Sequence, residues 1–215
     1  MHLNQNLQSF LRAHFNGLTL KQPLFYNWPI ALRFNLQYGE VGTTSYFQEV
    51  VHRATKLFDE VFEPTDSLFF VLTDYRYKRR KIHFKNFCFQ CIRQLKKDDI
   101  SFSILRQLYN HDKDDVYNRA VVLTTAGRLD FVSLLSAIAH KDFPEQRPQL
   151  GQELLSSKDI YFININKRII FHMYDDRGLD ILAAAKEDII ELYQKYKDWL
   201  LDYDRQQMDA TFGLK

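Results

Sequence analysis

One short stretch of the sequence, HMYDDRGLDILAA at residues 172–184, collects the side chains best suited to chemistry. Carboxylates can hold a divalent cation that activates water, or can take up a proton as a general base. A guanidinium presents five N–H donors in a rigid fork, so it can also tie together the acceptors of a tight turn. The stretch therefore predicts either a catalytic metal site or a structural turn. Its candidate residues are Tyr174, Asp175, Asp176, Arg177, Gly178 and Asp180.

The spacing of these residues favours the structural turn. Asp175 and Asp176 are adjacent, so on an extended strand their side chains point to opposite faces and do not act together on one substrate. Gly178 is expected to supply a positive φ where a strand turns sharply into a helix. Asp180 is expected to cap that helix or to pair with Arg177. We therefore predict a corner with Arg177 as its organising ion, ahead of a partner-binding surface and of a metal or catalytic site.

A second candidate is the strip YRYKRRKIHFK at residues 75–85, where cations alternate with tyrosines. It could follow phosphates while a tyrosine stacks on a base, contact an acidic protein, or form a solvated loop or an exposed edge strand that charge protects. The whole chain carries 29 basic and 27 acidic side chains, a net charge of +2, so no global field attracts nucleic acid. We expect a solvated loop or a protected edge strand first, a protein partner second and nucleic acid last. The basic patch comprises Arg76, Lys78, Arg79, Arg80 and Lys81.

The remaining metal-type and nucleophile-type patterns predict no cofactor and no metal. CFQC at residues 88–91 has the spacing of half a zinc site, but the chain holds two cysteines where such a site needs four ligands. Cys88 and Cys91 also recur at helical intervals with apolar neighbours, which predicts two buried packing residues. The seven histidines lack paired metal spacing, and HDKDD at 111–115 lacks the glycine and glutamate of a calcium loop.

The elements that must position these residues alternate between extended and helical patterns. Periods of two predict strands, and periods of 3.6 predict helices. The expected fold is a single α+β domain over 1–215, with a mainly antiparallel sheet of about five strands and helices packed against it. We expect a helix within 1–20 and a flexible tail at 206–215. Strands are predicted at 28–37, 67–74, 118–125, 159–164 and 169–174, and helices at about 45–61, 87–97, 129–140 and 186–203.

The expected location is the cytoplasm, without a membrane segment. The first 15 residues lack the charged, apolar and small-residue regions of a signal peptide. Apolar runs such as LFFVL at 68–72 are far shorter than the ~20 residues that span a bilayer. Two cysteines close together fit a reducing compartment.

The C-terminal portion resembles a bacterial family catalogued as domain of unknown function 3885. The resemblance lies in IYFININKRIIFHMYDDRGLDILA and LYQKYKDWLLDYDR, which carry that family's Tyr-Asp-Asp-Arg-Gly-x-Asp and Trp-Leu-Leu-Asp-Tyr-Asp-Arg motifs. Trp199 begins the second motif. WPIALRFNLQ, YFQEVVHRATKLF and IAHKDFP are also similar to upstream segments of the family. The resemblance implies a bacterial, cytosolic protein without an assigned reaction.

Two functions of different classes follow from these patterns. The first is a non-catalytic protein-binding factor, immunity-like or regulatory, that uses aromatic and charged side chains of the 174–205 region. The second is a small metal-dependent hydrolase or nucleic-acid-processing enzyme that uses Asp175, Asp176 or Asp180. The absence of known catalytic motifs favours the first, although the sequence leaves enzymatic activity undecided. Carboxylates that converge in one pocket would favour the enzyme, and carboxylates dispersed into ion pairs would disfavour it.

Overall fold

A computed structural model of the protein describes residues 2–151 and 157–213. Within these residues, seven strands form a single sheet in which all neighbouring strands are antiparallel. The strands are β1 (Ala31–Asn35), β2 (Ser67–Tyr75), β3 (Ile100–Arg106), β4 (Val116–Thr125), β5 (Lys158–Asn164), β6 (Ile169–Asp175) and β7 (Gly178–Ala183). Their order across the sheet is β1-β7-β6-β5-β2-β4-β3.

Helices cover both faces of this sheet. The α-helices are α1 (His2–Phe15), α2 (Thr44–Val61), α3 (Phe87–Gln90), α4 (Phe131–Ala139), α5 (Ile190–Lys195) and α6 (Arg205–Phe212). Phe10 of α1 contacts Phe69 on one face at 6.0 Å between ring centroids. Phe58 of α2 contacts Phe162 and Phe171 on the other face, at 5.3 and 5.4 Å. Among the described residues, no helix combines the length and apolar character needed to cross a membrane.

The predicted α+β class is confirmed, but the sheet has seven strands rather than about five. The segment after Gly178, predicted to turn into a helix, forms β7 instead, and every one of its residues is buried. A short apolar run that is buried on both faces loses the alternation that identifies a strand, so it resembles the start of a helix. β3 was also missed, although its alternating Ser101, Phe102, Ser103 and Ile104 carried the signal of a half-buried strand.

Two predicted helices are much shorter than expected. The helix expected at 87–97 ends at Gln90, and Ile92 beyond it forms an isolated bridge with Leu129. The continuous helix expected at 186–203 is broken into α5 and short 3₁₀ turns at Lys186–Asp188, Lys197–Trp199 and Asp202–Asp204. Apolar residues at helical intervals can be buried by successive turns as well as by one helix, because tertiary packing overrides local propensity.

The two edges of the sheet differ. Beside β1, the Leu201 N–H donates to the Arg33 carbonyl at 2.9 Å, and Leu200 forms a bridge with Phe34. The helix α6 follows directly, in the region where a tail was expected, and its Met208 and Phe212 are fully buried. The C-terminal segment therefore closes the β1 edge. At the opposite edge, β3 has no strand beyond it in the described part of the chain.

Replacement of Phe212 tests whether α6 is part of the core. The variant Phe212→Ala should lower the free energy of unfolding by about 3–5 kcal/mol, because it removes a fully buried ring and leaves a cavity. Tyr203→Ala is the control in the same segment, since Tyr203 is 86% exposed. It should change stability by less than about 0.5 kcal/mol in urea titrations. Equal stability of the two variants would show that α6 does not pack as described.

Candidate functional site

The YDDRG turn joins β6 to β7 as a tight hairpin and does not lead from a strand into a helix. Asp175 Oδ1 accepts the Arg177 backbone N–H at 2.8 Å, and Asp175 Oδ2 accepts Arg177 Nε at 2.9 Å. The expected pairing of Arg177 with a neighbouring aspartate is thus confirmed. The organising group is nevertheless the buried Asp175 carboxylate, because the Arg177 side chain is 64% exposed. An ion pair so open to water contributes little to stability.

Gly178 serves a different purpose from the predicted one. The expected positive φ is wrong, because Gly178 lies in extended backbone as the first residue of β7. A Cβ at this position would lie 2.5 Å from the Phe34 carbonyl oxygen of β1 and would also collide with the Tyr174 hydroxyl. Glycine is required here because β1 and the Tyr174 ring approach the hairpin backbone too closely for a side chain.

Asp176 lies in a cluster of three carboxylates with Asp175 and the exposed Asp142. Oxygen atoms of these three side chains lie within 4.8 Å of one another, a spacing that could hold a divalent cation. Asp176 is buried and accepts a short hydrogen bond from the Tyr46 hydroxyl. Burial raises the pKa of the Asp176 carboxyl, and the Tyr46 bond opposes that rise. Both oxygens of Asp175 are already engaged by Arg177, which reduces what they could give to a cation.

Asp180 is separated from this cluster. Its fully buried carboxylate accepts Arg33 Nε at 2.7 Å and Nη2 at 3.2 Å, and it also accepts the Phe25 N–H at 3.1 Å. The predicted roles as a helix cap or a partner of Arg177 are therefore wrong. Burial raises the pKa of the Asp180 carboxyl, while Arg33 and the Phe25 N–H oppose the rise. The three aspartates of the motif do not converge on one substrate position.

Arg33 is the central residue that sequence reasoning missed. Besides Asp180, its guanidinium reaches Asp204 Oδ2 at 3.4 Å. It also lies over the rings of Tyr26 and Tyr174, at 4.8 and 5.5 Å from their centroids. Arg33 shares its side of the alternating 28–37 segment with Asn35 and Gln37, a polar pattern typical of a solvent-facing side, and its main partner lies 147 positions away in the chain. No local signal identifies a pair so distant in sequence.

Three buried polar residues lie side by side on neighbouring strands: Arg33 of β1, Asp180 of β7 and His172 of β6. His172 lies opposite Asp180 in the strand register, and its ring stacks on Tyr161 at 4.4 Å between centroids. Neither ring nitrogen has a hydrogen-bond partner within the described residues. Burial, with added repulsion from Lys141 and Arg33, lowers the pKa of His172 to about 3. The ring is therefore neutral near pH 7 and is inaccessible to a substrate.

The basic strip forms the loop that follows β2. Arg80 lies 3.8 Å from Asp74, whereas Lys78 and Arg79 are exposed residues of a 3₁₀ turn. Two cavities, of about 490 and 670 Å³, adjoin the loop, and Arg76 lines both of them. The strip is therefore not the protected edge strand itself. It lies beside the open edge strand β3.

The remaining candidates do not form a reactive site. Cys88 and Cys91 are buried and free, as expected of packing residues. Burial raises the pKa of their thiols to about 12 and about 11, so both lack the thiolate form needed for redox or metal chemistry. Trp199 is half-buried and packs on Tyr196 at 4.8 Å and beneath Arg53 at 5.2 Å. Its contacts are those of a structural residue.

Comparisons with known proteins give a family without an assigned function. The family model described as Domain of unknown function (DUF3885) matches residues 7–204. The chain is similar to the uncharacterized protein YnaE of Bacillus subtilis (strain 168), with 29% identity over 219 residues. That alignment covers 92% of this chain and 98% of YnaE. No solved structure gives a significant match.

The turn can be tested by comparing its two charged partners. Asp175→Ala should lower the free energy of unfolding by about 1–3 kcal/mol, because it leaves the Arg177 N–H without its acceptor. Arg177→Ala should cost at most about 1 kcal/mol, since its side chain is mostly in water. Chemical denaturation of both variants measures the difference. A larger loss for Arg177→Ala would restore Arg177 as the organising ion.

The buried His172 predicts a specific pH dependence. The pKa of His172 is 6.5 in the unfolded chain and about 3 in the folded protein. Between these two pH values the unfolded chain binds a proton that the folded protein does not. The contribution of His172 to stability is therefore present above pH 6.5 and is lost as the pH falls towards 3. Between pH 7.5 and 5.5 the wild type should lose about 1.4 kcal/mol more than His172→Phe, which keeps the ring against Tyr161. Parallel stability curves for the two proteins would contradict this assignment.

Proposed function

We propose that this chain, which belongs to the family described as Domain of unknown function (DUF3885), is a non-catalytic binding protein that docks an acidic segment of a protein partner along β3. Such a role is that of an immunity-like or regulatory factor. The observation that carries the proposal is an open edge strand with exposed apolar side chains beside a cluster of cations. The docked segment would extend the sheet as an additional strand.

The two faces of β3 differ, because one packs against α1 and the other is open to solvent. Ser101 and Ser103 face α1, where each bonds to Asn4 at 2.7 and 3.1 Å. Phe102 and Ile104 point to the other face, and each is 47% exposed. Edge strands are usually protected by charge, proline or a covering element, because their free backbone groups invite pairing. Exposed Phe102 and Ile104 on an open edge instead suit a partner strand.

The charge around this edge indicates the chemistry of the partner. The 670 Å³ groove beside β3 is lined by the cations Arg76, Lys81 and Lys97. Ile82 adds apolar surface next to the two exposed β3 side chains, and no carboxylate appears among the groove's described lining residues. A complementary segment would carry both acidic and apolar side chains on the face that meets the groove, so that the carboxylates contact the cations and the apolar groups contact Phe102.

A hydrolase acting through the Asp-Asp-Arg-Gly turn is less well supported. Asp180 lies in the buried ion pair with Arg33, and Asp175 is neutralised by Arg177. Nucleic acid is also less well supported than protein, because an open strand edge offers backbone pairing that only a peptide can match. We further propose a cytoplasmic location, which the two free cysteines support.

A designed peptide tests the proposed docking. The probe is a fluorescein-labelled ten-residue peptide in which pairs of glutamates alternate with pairs of valines, so that each face of the strand carries both residue types. Fluorescence anisotropy measures its affinity. Lys97→Glu should weaken binding by about tenfold or more, through repulsion in the groove. Lys96→Glu is the matched control, because Lys96 is exposed and adjacent but does not line the groove. It should leave the affinity within about threefold, since an exposed charge that makes no direct contact with the docked segment contributes little.

Two further probes separate strand pairing from simple charge attraction. A peptide in which prolines replace the valines has the same charge but lacks a backbone donor at each proline, so it should bind far more weakly. A ten-nucleotide single-stranded RNA carries charge without a peptide backbone. Equal affinity for the proline peptide, or tighter binding of the RNA, would overturn the proposal of a docked acidic strand. Equal weakening by Lys96→Glu and Lys97→Glu would also overturn it.

A further inference from the structure

We infer that the 490 Å³ cavity at the end of β2 is a binding site for an organic phosphate monoester. The cavity lies between the basic loop and the adjoining ends of β3 and β4. It is separate from the groove of the proposed function, although Arg76 lines both. The residues that line it are Tyr75, Arg76, Tyr77, Lys78, Arg79, Arg106, Asp114 and Val116.

The charge of this cavity suits a dianion. Its lining carries the four cations Arg76, Lys78, Arg79 and Arg106 against the single carboxylate of Asp114. Within residues 2–151 and 157–213, none of these cations forms an ion pair. Guanidinium forks match the oxygens of a phosphate and form charge-assisted hydrogen bonds with them. A phosphate monoester, with its charge near −2 at neutral pH, complements the excess of positive charge.

Two details indicate that the cations are positioned and not merely clustered. Arg76 Nε is buried and has no hydrogen-bond acceptor within the described residues. This end of the side chain is fixed by packing, and no acceptor within the described residues competes for the guanidinium that lines the cavity. Lys78 and Arg79 both adopt left-handed backbone conformations, with φ of 47° and 61°. Such conformations are costly outside glycine, and here they turn two successive cations towards one cavity.

The size and the uncharged wall of the cavity favour an organic ester over the free ion. A volume of about 490 Å³ lies within the range of small-molecule sites and exceeds the need of one phosphate group. The rings of Tyr75 and Tyr77, together with Val116, provide a surface for the organic part. The ester could come from a nucleoside monophosphate or from a phosphorylated side chain of a protein, which share this chemistry.

Calorimetric titration of the full chain tests the site and its source. The probes are inorganic phosphate, adenosine 5′-monophosphate, adenosine and a phosphoserine-containing peptide with its unphosphorylated form. At least one monoester should bind tighter than inorganic phosphate, and adenosine and the unphosphorylated peptide should not bind. Tighter binding of the nucleotide or of the phosphopeptide identifies the source, and either result supports the site.

Variants on exposed cations locate the binding. The double variant Arg79→Gln/Arg106→Gln should weaken monoester binding by about tenfold or more, because two charge-assisted contacts are lost. Lys85→Gln is the control, since Lys85 belongs to the same exposed strip but does not line the cavity. An unchanged melting temperature verifies that each variant is folded. Absence of monoester binding at millimolar concentration, or equal weakening by Lys85→Gln, would overturn the inference. Neither result depends on Lys97 or Phe102, so it is distinguishable from failure of the proposed docking.

Discussion

The buried ion pair between Arg33 and Asp180 is the constraint on which the rest of the structure depends. Removing two charges from water costs several kcal/mol per ion unless hydrogen bonds and further charges compensate. Compensation comes from elements distant in sequence: the Phe25 N–H, the Asp204 carboxylate and the ring of Tyr26. The N-terminal loop, β1, β7 and the C-terminal segment must therefore be assembled together, because each covers part of this pair.

The unusual composition of the YDDRG turn follows from the close approach of β1 to β7. β1 is held so near the start of β7 that a side chain at position 178 would strike its backbone, so glycine is needed there. Asp175 closes the hairpin by accepting the Arg177 N–H. A cluster of charged side chains that resembles catalytic machinery thus arises largely from the demands of a tight hairpin. The geometry of the hairpin does not explain the positions of Asp176 and Asp142, whose carboxylates lie close to that of Asp175.

The two edges of the sheet differ in how they are covered. At the β1 edge, Leu201 pairs with the strand and the buried Phe212 anchors the segment that covers it. At the β3 edge, exposed Phe102 and the basic loop lie next to two cavities. An open edge strand can pair with another copy of the chain and cause aggregation. The surrounding positive charge opposes such pairing, because it repels a second copy. The same charge is the basis on which we propose an acidic segment and a phosphate monoester as ligands.

The sequence by itself determined the α+β class, five of the strands, α2, α4 and the burial of both cysteines, because these depend on local periodicity. It also determined that Arg177 pairs with a near neighbour, since Asp175 is two residues away. Only the tertiary structure decided the identity of β7, because a strand buried on both faces has no alternation to reveal it. It likewise decided that Arg33 is buried and that Asp180 is its partner. Both outcomes depend on segments that meet only when the sheet is complete, so no window of the sequence contains them.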